Sequence, residues 1–162
     1  MNVITRPWRK LMLAVAACVF CLTFSACSGD YDVPITSVPT QKIDERLLGD
    51  WALKDDEDRM RVRKLDDSVY VICYGGGLYR AFHSDVGKIP FVSVQDLDSA
   101  DRKYVYFAYK LSDDGKLLDL TVVSQKIIPR DTKDSLSVQK LLEKNLQNPE
   151  LFGDVGHYVR QK

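Results

Sequence analysis

The succession of short, alternating apolar runs from residue 49 to residue 124 constrains the fold more than any other feature of this chain. The runs have the length of strands, and turn-forming residues separate them. Residues 75–77 and 113–115 suit tight hairpin turns, because glycine adopts positive φ without a steric penalty. No helix-sized segment lies between the runs, although parallel pairing would need one as a crossover. The pattern therefore predicts seven or eight antiparallel strands in meander order.

The spacing of apolar residues changes to that of a helix after Asp134. Asp134 or Ser135 can cap the start of this helix, and Pro149 can end it. A last run at 157–161 can return to the sheet as a short closing strand, and 126–130 can add one more short strand. The apolar face of the predicted helix consists of Leu136, Val138, Leu141, Leu142 and Leu146.

A sheet of this kind has two edges with unpaired backbone groups, which a stable protein must hide. Curling of the sheet into a barrel removes the edges, and about eight strands enclose side chains or one small ligand. We therefore expect a mostly β protein. Its predicted fold is an antiparallel meander of about eight strands curled into a small barrel or half-barrel, with one C-terminal helix and a short closing strand.

The first 26 residues have the three parts of a secretory signal. Arg6, Arg9 and Lys10 give a basic start, residues 11–24 carry no charge, and small residues follow at 25–26. The uncharged segment is shorter than the ~20 residues that a membrane-spanning helix needs. The sequence therefore predicts a cleaved export signal at 1–26.

Cys27 follows this signal directly, and the letters "FSAC" resemble the lipobox of bacterial lipoproteins, in which the cysteine is lipidated. The resemblance implies that the mature chain begins at a lipidated Cys27. Residues 28–42 carry two prolines and show no apolar periodicity, which predicts a lipidated tether at 27–42 before a β domain at 43–162. The resemblance also implies that the lipid on Cys27 holds the protein at a cell-envelope membrane, and Ser28 indicates the outer membrane in a cell that has two. The alternative is an ordinary signal peptide, cut elsewhere, with Cys27 incidental.

The charge balance excludes one class of function. The chain has 23 basic and 23 acidic residues, and three of the basic ones lie in the predicted signal. The remaining domain is therefore slightly acidic, whereas a nucleic-acid-binding domain has a clustered basic surplus. We expect no nucleic-acid partner.

The Gly-x-Trp at 49–51, followed by a meander, a helix and a short strand, resembles the lipocalin-like (calycin) plan. The resemblance implies that Trp51 closes the narrow end of a barrel beneath a late basic residue, either Arg130 or Arg160. Residues 105–129 and 131–154 also resemble segments of small, uncharacterised bacterial lipoproteins. That family brings no activity with it.

Three groups of residues could carry chemistry, and each has a simpler explanation. The acidic run at 55–58 lacks the ligand spacing and the glycine of a calcium loop, so we expect a solvated turn. His83 and His157 have no ligand-type partners at short spacing, so we predict no metal site and no cofactor. Cys73 lies in a β run without an activating neighbour, and we expect it to be a small buried hydrophobe. We therefore predict that the protein is not an enzyme.

Aromatic residues leave two functions open. Tyr104 and Tyr106 share one face of a predicted strand, Phe107 and Tyr109 share the other, and with Trp51 they form a candidate ligand cavity or core. A filled core with the helix on the outer face fits a non-catalytic interaction or assembly module of the cell envelope, which is the function we expect. An aromatic-lined cavity would instead fit a carrier or sensor of a small hydrophobic ligand, as the lipocalin-like resemblance implies.

Overall fold

The computed structural model describes residues 31–54 and 58–162. These residues form a closed barrel of eight antiparallel strands, in which each strand pairs with its neighbours in sequence and the last pairs with the first. An α-helix, α1 (Ser135–Asn145), precedes the last strand, and 3₁₀ helices lie at Glu45–Leu47 and Pro149–Leu151. The strands are β1 (Gly49–Leu53), β2 (Arg59–Lys64), β3 (Tyr70–Tyr74), β4 (Gly77–His83), β5 (Phe91–Asp96), β6 (Tyr104–Leu111), β7 (Leu117–Val123) and β8 (Phe152–Arg160).

The predicted fold class is confirmed, and the barrel is closed rather than half-open. One predicted element is wrong, because 126–130 form turns instead of a short strand. The amides of Ile127 and Ile128 both bond to the carbonyl of Ser124, and this turn buries the Ile128 side chain completely. The closing strand β8 is longer than predicted and begins at Phe152, because its first residues continue the pairing with β7.

The helix α1 begins where the sequence predicts it. The Asp134 carboxylate is the N-cap and accepts a hydrogen bond from the Ser137 amide at 2.9 Å. Val138 and Leu142 lie four residues apart on one face of the helix, and both are fully buried. The helix therefore packs through this apolar face against the barrel wall.

Two apolar clusters lie on opposite sides of the barrel wall, because successive side chains of a strand point to opposite faces. The inner cluster surrounds Trp51 at one end of the barrel interior. The other cluster, which we call the outer core, lies between the outer face of the sheet, α1 and the N-terminal segment. The outer core consists of Tyr31, Ile35, Phe82, Val86, Phe91, Tyr104, Tyr106, Ala108, Val123, Ile128, Val138, Leu142 and Leu151.

The first described residues are part of the domain, which differs from the prediction of a tether over 27–42. Tyr31 forms a backbone bridge with Tyr104 and stacks on the ring of Tyr106, with 4.2 Å between the ring centroids. The Ile35 amide donates to the Ser93 hydroxyl at 3.0 Å, and the Ile35 side chain is fully buried. The sequence does not reveal this docking because the apolar side chains that carry it, Tyr31, Val33 and Ile35, are few and lie among prolines and polar residues. Residues 27–30 lie outside the described part of the chain.

The direction of the strands gives the barrel two distinct ends. At one end, which we call the mouth, lie the β3–β4 turn, the β5–β6 loop at 97–103 and the segment 124–126. At the other end, which we call the closed end, lie the β2–β3 loop, the β6–β7 turn and the 3₁₀ helix Glu45–Leu47.

Candidate functional site

The barrel interior contains a cavity of about 870 Å³ that reaches the mouth. Ligand sites in proteins typically measure ~300–1,000 Å³, so this cavity has the size of a small-molecule site. The prediction of a filled interior is therefore wrong. The aromatic residues that line the cavity are Tyr70, Tyr74, Tyr79, Phe107, Tyr109 and Tyr158.

The lining of the cavity changes from apolar to charged towards the mouth. Deep in the barrel the wall between the aromatic rings consists of aliphatic side chains such as Met60, Ile72 and Leu120. Over residues 31–54 and 58–162, the charged residues that border the cavity all lie at the mouth. They are Asp96, Asp101, Lys103, Lys126 and Asp154. This arrangement suits a molecule with an apolar body and a polar end that remains near water.

The closed end is sealed by Trp51, which is fully buried and does not border the cavity. Its indole N–H donates to the Leu47 carbonyl at 3.0 Å, and the Arg160 guanidinium lies 4.3 Å from the ring centroid. Of the two arginines that the lipocalin-like resemblance offers, Arg160 therefore covers the ring. Gly49 is needed here because its φ is +137° and a Cβ would lie 2.6 Å from Arg160 Nη1.

Arg160 also joins the closed end of the barrel through hydrogen bonds. Its side chain donates to the carbonyls of Gly115 at 2.7 Å and Leu48 at 2.6 Å, and to the carbonyl of Arg46. These three acceptors belong to the β6–β7 turn and to the chain that leads into β1. The planar Arg160 guanidinium thus connects segments that are distant in sequence. A lysine has a single ammonium group and could not donate to all three carbonyls in this geometry.

A buried polar cluster lies beneath the cavity floor. The Asp44 amide donates to the Tyr70 hydroxyl, which lies 2.7 Å from His83 Nε2 and 3.5 Å from the Asp44 carbonyl. The other ring nitrogen of His83, Nδ1, has no hydrogen-bond partner among the described residues. Burial lowers the pKa of His83, although Asp85 and Asp44 oppose this shift. Burial likewise raises the pKa of Tyr109 to about 12, so both groups are neutral at pH 7.

The structure separates the residues that the sequence grouped as one candidate site. Phe107 and Tyr109 border the cavity, whereas Tyr104 and Tyr106 point outward into the outer core. Trp51 lies below the cavity, at the closed end. Cys27, the predicted lipidation site, lies outside the described residues.

Four tyrosines of the cavity, Tyr70, Tyr74, Tyr79 and Tyr158, were absent from the predicted site. A signal for the first three was present in the two-residue turn at 75–76. This turn pairs Tyr74 with Gly77, and the register places Tyr70 opposite Ala81 and Tyr79 opposite Ile72. These side chains consequently share the inner face of the barrel.

The remaining sequence candidates give no site. Cys73 is exposed, so the prediction of a buried hydrophobe is wrong. Its neighbours in β3, Ile72 and Tyr74, face the cavity, and the Cys73 side chain therefore points to the outer face. His157 lies on the exposed outer face and pairs with Asp119 at 2.7 Å, away from His83. Residues 55–57 of the acidic run lie outside the description. Within the described part of the chain, no group of three or more His, Cys, Asp or Glu could hold a metal ion.

The fold and the cavity together define a class, a closed eight-stranded antiparallel barrel with an apolar interior site, and this architecture is consistent with a lipocalin-like fold. Comparison with known proteins adds no narrower assignment, since no family model, curated protein or solved structure matches the chain. Over residues 31–54 and 58–162, no helix has the length and apolar character to cross a membrane.

Proposed function

We propose that the protein is a lipocalin-like, non-catalytic carrier or sensor that binds a small hydrophobic molecule inside the barrel. The cavity of about 870 Å³, with its aromatic and aliphatic wall, is the observation that carries this proposal. The sequence favours an interaction module over a carrier. The cavity reverses this preference, because an interaction module would need only a filled barrel.

We further propose that the protein is a lipoprotein held at the cell envelope by a lipid on Cys27. The support is the sequence: a basic start, a short uncharged segment and a small-residue step come directly before the cysteine. Ser28 favours the outer membrane in a cell with two membranes. One acyl chain holds a protein only marginally, so stable anchoring implies that more than one chain is attached.

A filling substitution tests the carrier function directly. Val105 borders the cavity, and Val105→Trp places an indole ring inside it. The matched control is Val155→Trp, because Val155 is exposed on the outer face of β8. Titration with the fluorescent fatty acid cis-parinaric acid should show saturable binding to the wild-type full-length protein and to Val155→Trp, and loss of binding to Val105→Trp.

Two outcomes would contradict the proposal. Absence of saturable binding by the wild type, together with a native mass spectrum that shows only the protein itself, would remove the reason to assign a carrier. Equal binding by the two tryptophan variants, both folded by circular dichroism, would place the probe on the outer surface rather than in the cavity.

A surface patch supports the interaction or assembly module as a second candidate function. Leu117 and Val159 lie on the outer face of β7 and β8, and they are 53 and 36% exposed. Leu117 pairs directly with Val159, so the two side chains are neighbours. Exposed apolar side chains that cluster in this way mark contact surfaces in many proteins. Cross-linking in the producing cell should lose a specific adduct in Leu117→Lys if this patch binds an envelope protein.

A further inference from the structure

Two polar side chains face each other on the inner wall at the mouth. Tyr79 of β4 lies directly opposite Asp96, the last residue of β5, and both border the cavity. Side chains that are opposite each other on antiparallel strands have Cβ atoms about 5 Å apart, so one small group can contact both. We call Tyr79 and Asp96 the rim pair.

The Tyr79 hydroxyl has no hydrogen-bond partner among the described residues. It lies above Gly77, where a Cβ would be 2.6 Å from the hydroxyl oxygen, so glycine leaves the space that the phenol ring needs. Burial raises the pKa of Tyr79, and the charges of Asp96 and Asp98 raise it further. The hydroxyl is therefore protonated at pH 7 and can both donate and accept a hydrogen bond.

The Asp96 carboxylate is oriented by the mouth loop. One of its oxygens, Oδ1, accepts hydrogen bonds from the amides of Asp98 at 2.8 Å and Ser99 at 3.1 Å. The other oxygen, Oδ2, has no partner among the residues that the structure describes. An ionised carboxylate only accepts hydrogen bonds, so the rim pair combines a hydroxyl with an acceptor that needs a proton donor.

The charges around the mouth make it unfavourable for an anion beside the rim pair. Lys103 pairs with Asp32, and Lys126 follows β7, two strands away from β5. Asp101 and Asp154 add further negative charge at the border of the cavity. A carboxylate placed next to Asp96 would therefore meet a like charge without a neighbouring cation to offset it.

We propose that the rim pair recognises a hydroxyl group, and that the ligand is a hydrophobic alcohol rather than a fatty acid. This inference rests on the proposed function and adds the chemical class of the ligand's polar end. An alcohol can accept a hydrogen bond from Tyr79 and donate its own proton to Asp96 Oδ2, while its apolar body occupies the cavity. A carboxylate cannot donate, and it would be repelled by Asp96.

Two probes with the same chain test this preference. cis-Parinaric acid and the alcohol obtained by reduction of its carboxyl group share a fluorescent chain and differ only in the polar end. The wild-type full-length protein should bind the alcohol more tightly than the acid at pH 7. Part of this difference reflects the solubility of the two probes in water. The measurement is therefore the ratio of the two dissociation constants, acid over alcohol, compared between the wild type and its variants.

Asp96→Asn should change this ratio most. Asparagine keeps an oxygen for the amides of Asp98 and Ser99, but an NH₂ donor replaces Oδ2. The ratio should fall by about tenfold, because the hydrogen bond from the alcohol is lost and the repulsion of the acid disappears. Asp101→Asn is the matched control, since it removes an exposed charge of the mouth that is not opposite Tyr79. Its ratio should change by less than about twofold.

Tyr79→Phe is a second variant, and it should fold normally because the hydroxyl that it removes has no partner among the described residues. Its affinity for the alcohol should fall by about fivefold, the equivalent of one hydrogen bond. Tyr104→Phe makes the same change in the outer core and should leave this affinity unchanged.

The outcomes separate failure of the inference from failure of the carrier function. An unchanged ratio in Asp96→Asn, an equal fall in Asp101→Asn, or an unchanged affinity of Tyr79→Phe for the alcohol would overturn recognition of a hydroxyl group by the rim pair and leave the carrier intact. Absence of saturable binding of both probes to the folded wild type would contradict the carrier function itself.

Discussion

The two faces of β6 differ in what surrounds them, because one face packs into the outer core and the other borders the cavity. Tyr106 points outward and is fully buried between Tyr31 and the rest of the outer core. Phe107, the next residue, points inward and is only half-buried because it borders the cavity. The outer face is covered by buried side chains of the outer core, whereas part of the inner face borders the cavity.

Segments outside the barrel provide the side chains that cover its outer face. The N-terminal segment and α1 supply Tyr31, Ile35, Val138 and Leu142, which together cover the outer face of the sheet. A barrel with a cavity of about 870 Å³ inside has fewer side-chain contacts in its interior, so it needs apolar contacts elsewhere. In this protein the outer core provides them.

Hydrogen bonds of buried hydroxyl groups fix the position of the N-terminal segment on the sheet. The Thr36 hydroxyl donates to the Ser84 hydroxyl at 2.9 Å, and Ser84 and Ser93 hydroxyls are also 2.9 Å apart. With the Ile35 amide bonded to Ser93, these pairs fix the N-terminal segment at one position along β4 and β5.

The largest expected effect on stability is that of Trp51→Ala at the closed end. The substitution removes a fully buried ring, its hydrogen bond to Leu47 and the contact with Arg160, so the free energy of unfolding should fall by about 3–5 kcal/mol. Urea denaturation followed by circular dichroism measures the change. An unchanged midpoint would mean that the ring does not support the closed end.

A matched pair of leucine substitutions compares the outer core with the inner wall. Leu142→Ala removes a fully buried side chain of α1, and the free energy of unfolding should fall by about 2–5 kcal/mol. Leu120→Ala removes a half-buried side chain that borders the cavity, and the expected loss is about 1 kcal/mol because few contacts disappear. Urea midpoints with a common slope would provide both values. A larger loss for Leu120→Ala would refute the division of roles.

A smaller effect is expected for Tyr31→Phe, which tests whether the N-terminal segment belongs to the domain. The variant keeps the stack on Tyr106 and loses only the hydrogen bond to the Ile128 carbonyl, so the free energy of unfolding should fall by about 1 kcal/mol. Tyr79→Phe is the control, because Tyr79 lies on the cavity wall. If the melting temperature of Tyr31→Phe equals that of the wild type, the segment contributes nothing through this bond.

The sequence predicts the barrel well because local patterns encode it. Strand-sized alternation, the turns at 75–76 and 113–115, and the period change at Asp134 each act over a few residues, so the order and pairing of the strands follow from them. The role of Trp51 at the closed end is implied by the lipocalin-like resemblance of the Gly-x-Trp at 49–51, and the structure places the ring there.

The features that the sequence does not predict depend on contacts between distant residues. Tyr31 and Ile35 become core only because Tyr106 and Ser93, far along the chain, lie beneath them. The cavity is equally hidden, because apolar inward side chains have the same pattern whether they fill a barrel or line a space. Its volume depends on barrel width and on the size of every inner side chain together.

The smallest expected effect is a change in the pH dependence of stability caused by His83. Burial lowers the pKa of His83 in the folded state below its usual 6.5, so the unfolded chain binds the proton more readily. Stability should therefore be full above about pH 6.5 and decrease as the pH falls below that value towards the folded-state pKa. His83→Gln cannot titrate and should flatten this part of the profile, measured by urea denaturation at several pH values. The matched variant His157→Gln removes the exposed histidine, and comparison of the two variants isolates the effect of His83 on the pH dependence of stability. A wild-type profile that stays level through this range would show that the His83 imidazole titrates alike in the folded and unfolded chains. In that case the cavity floor would not be a drier environment than the exposed outer face of the barrel.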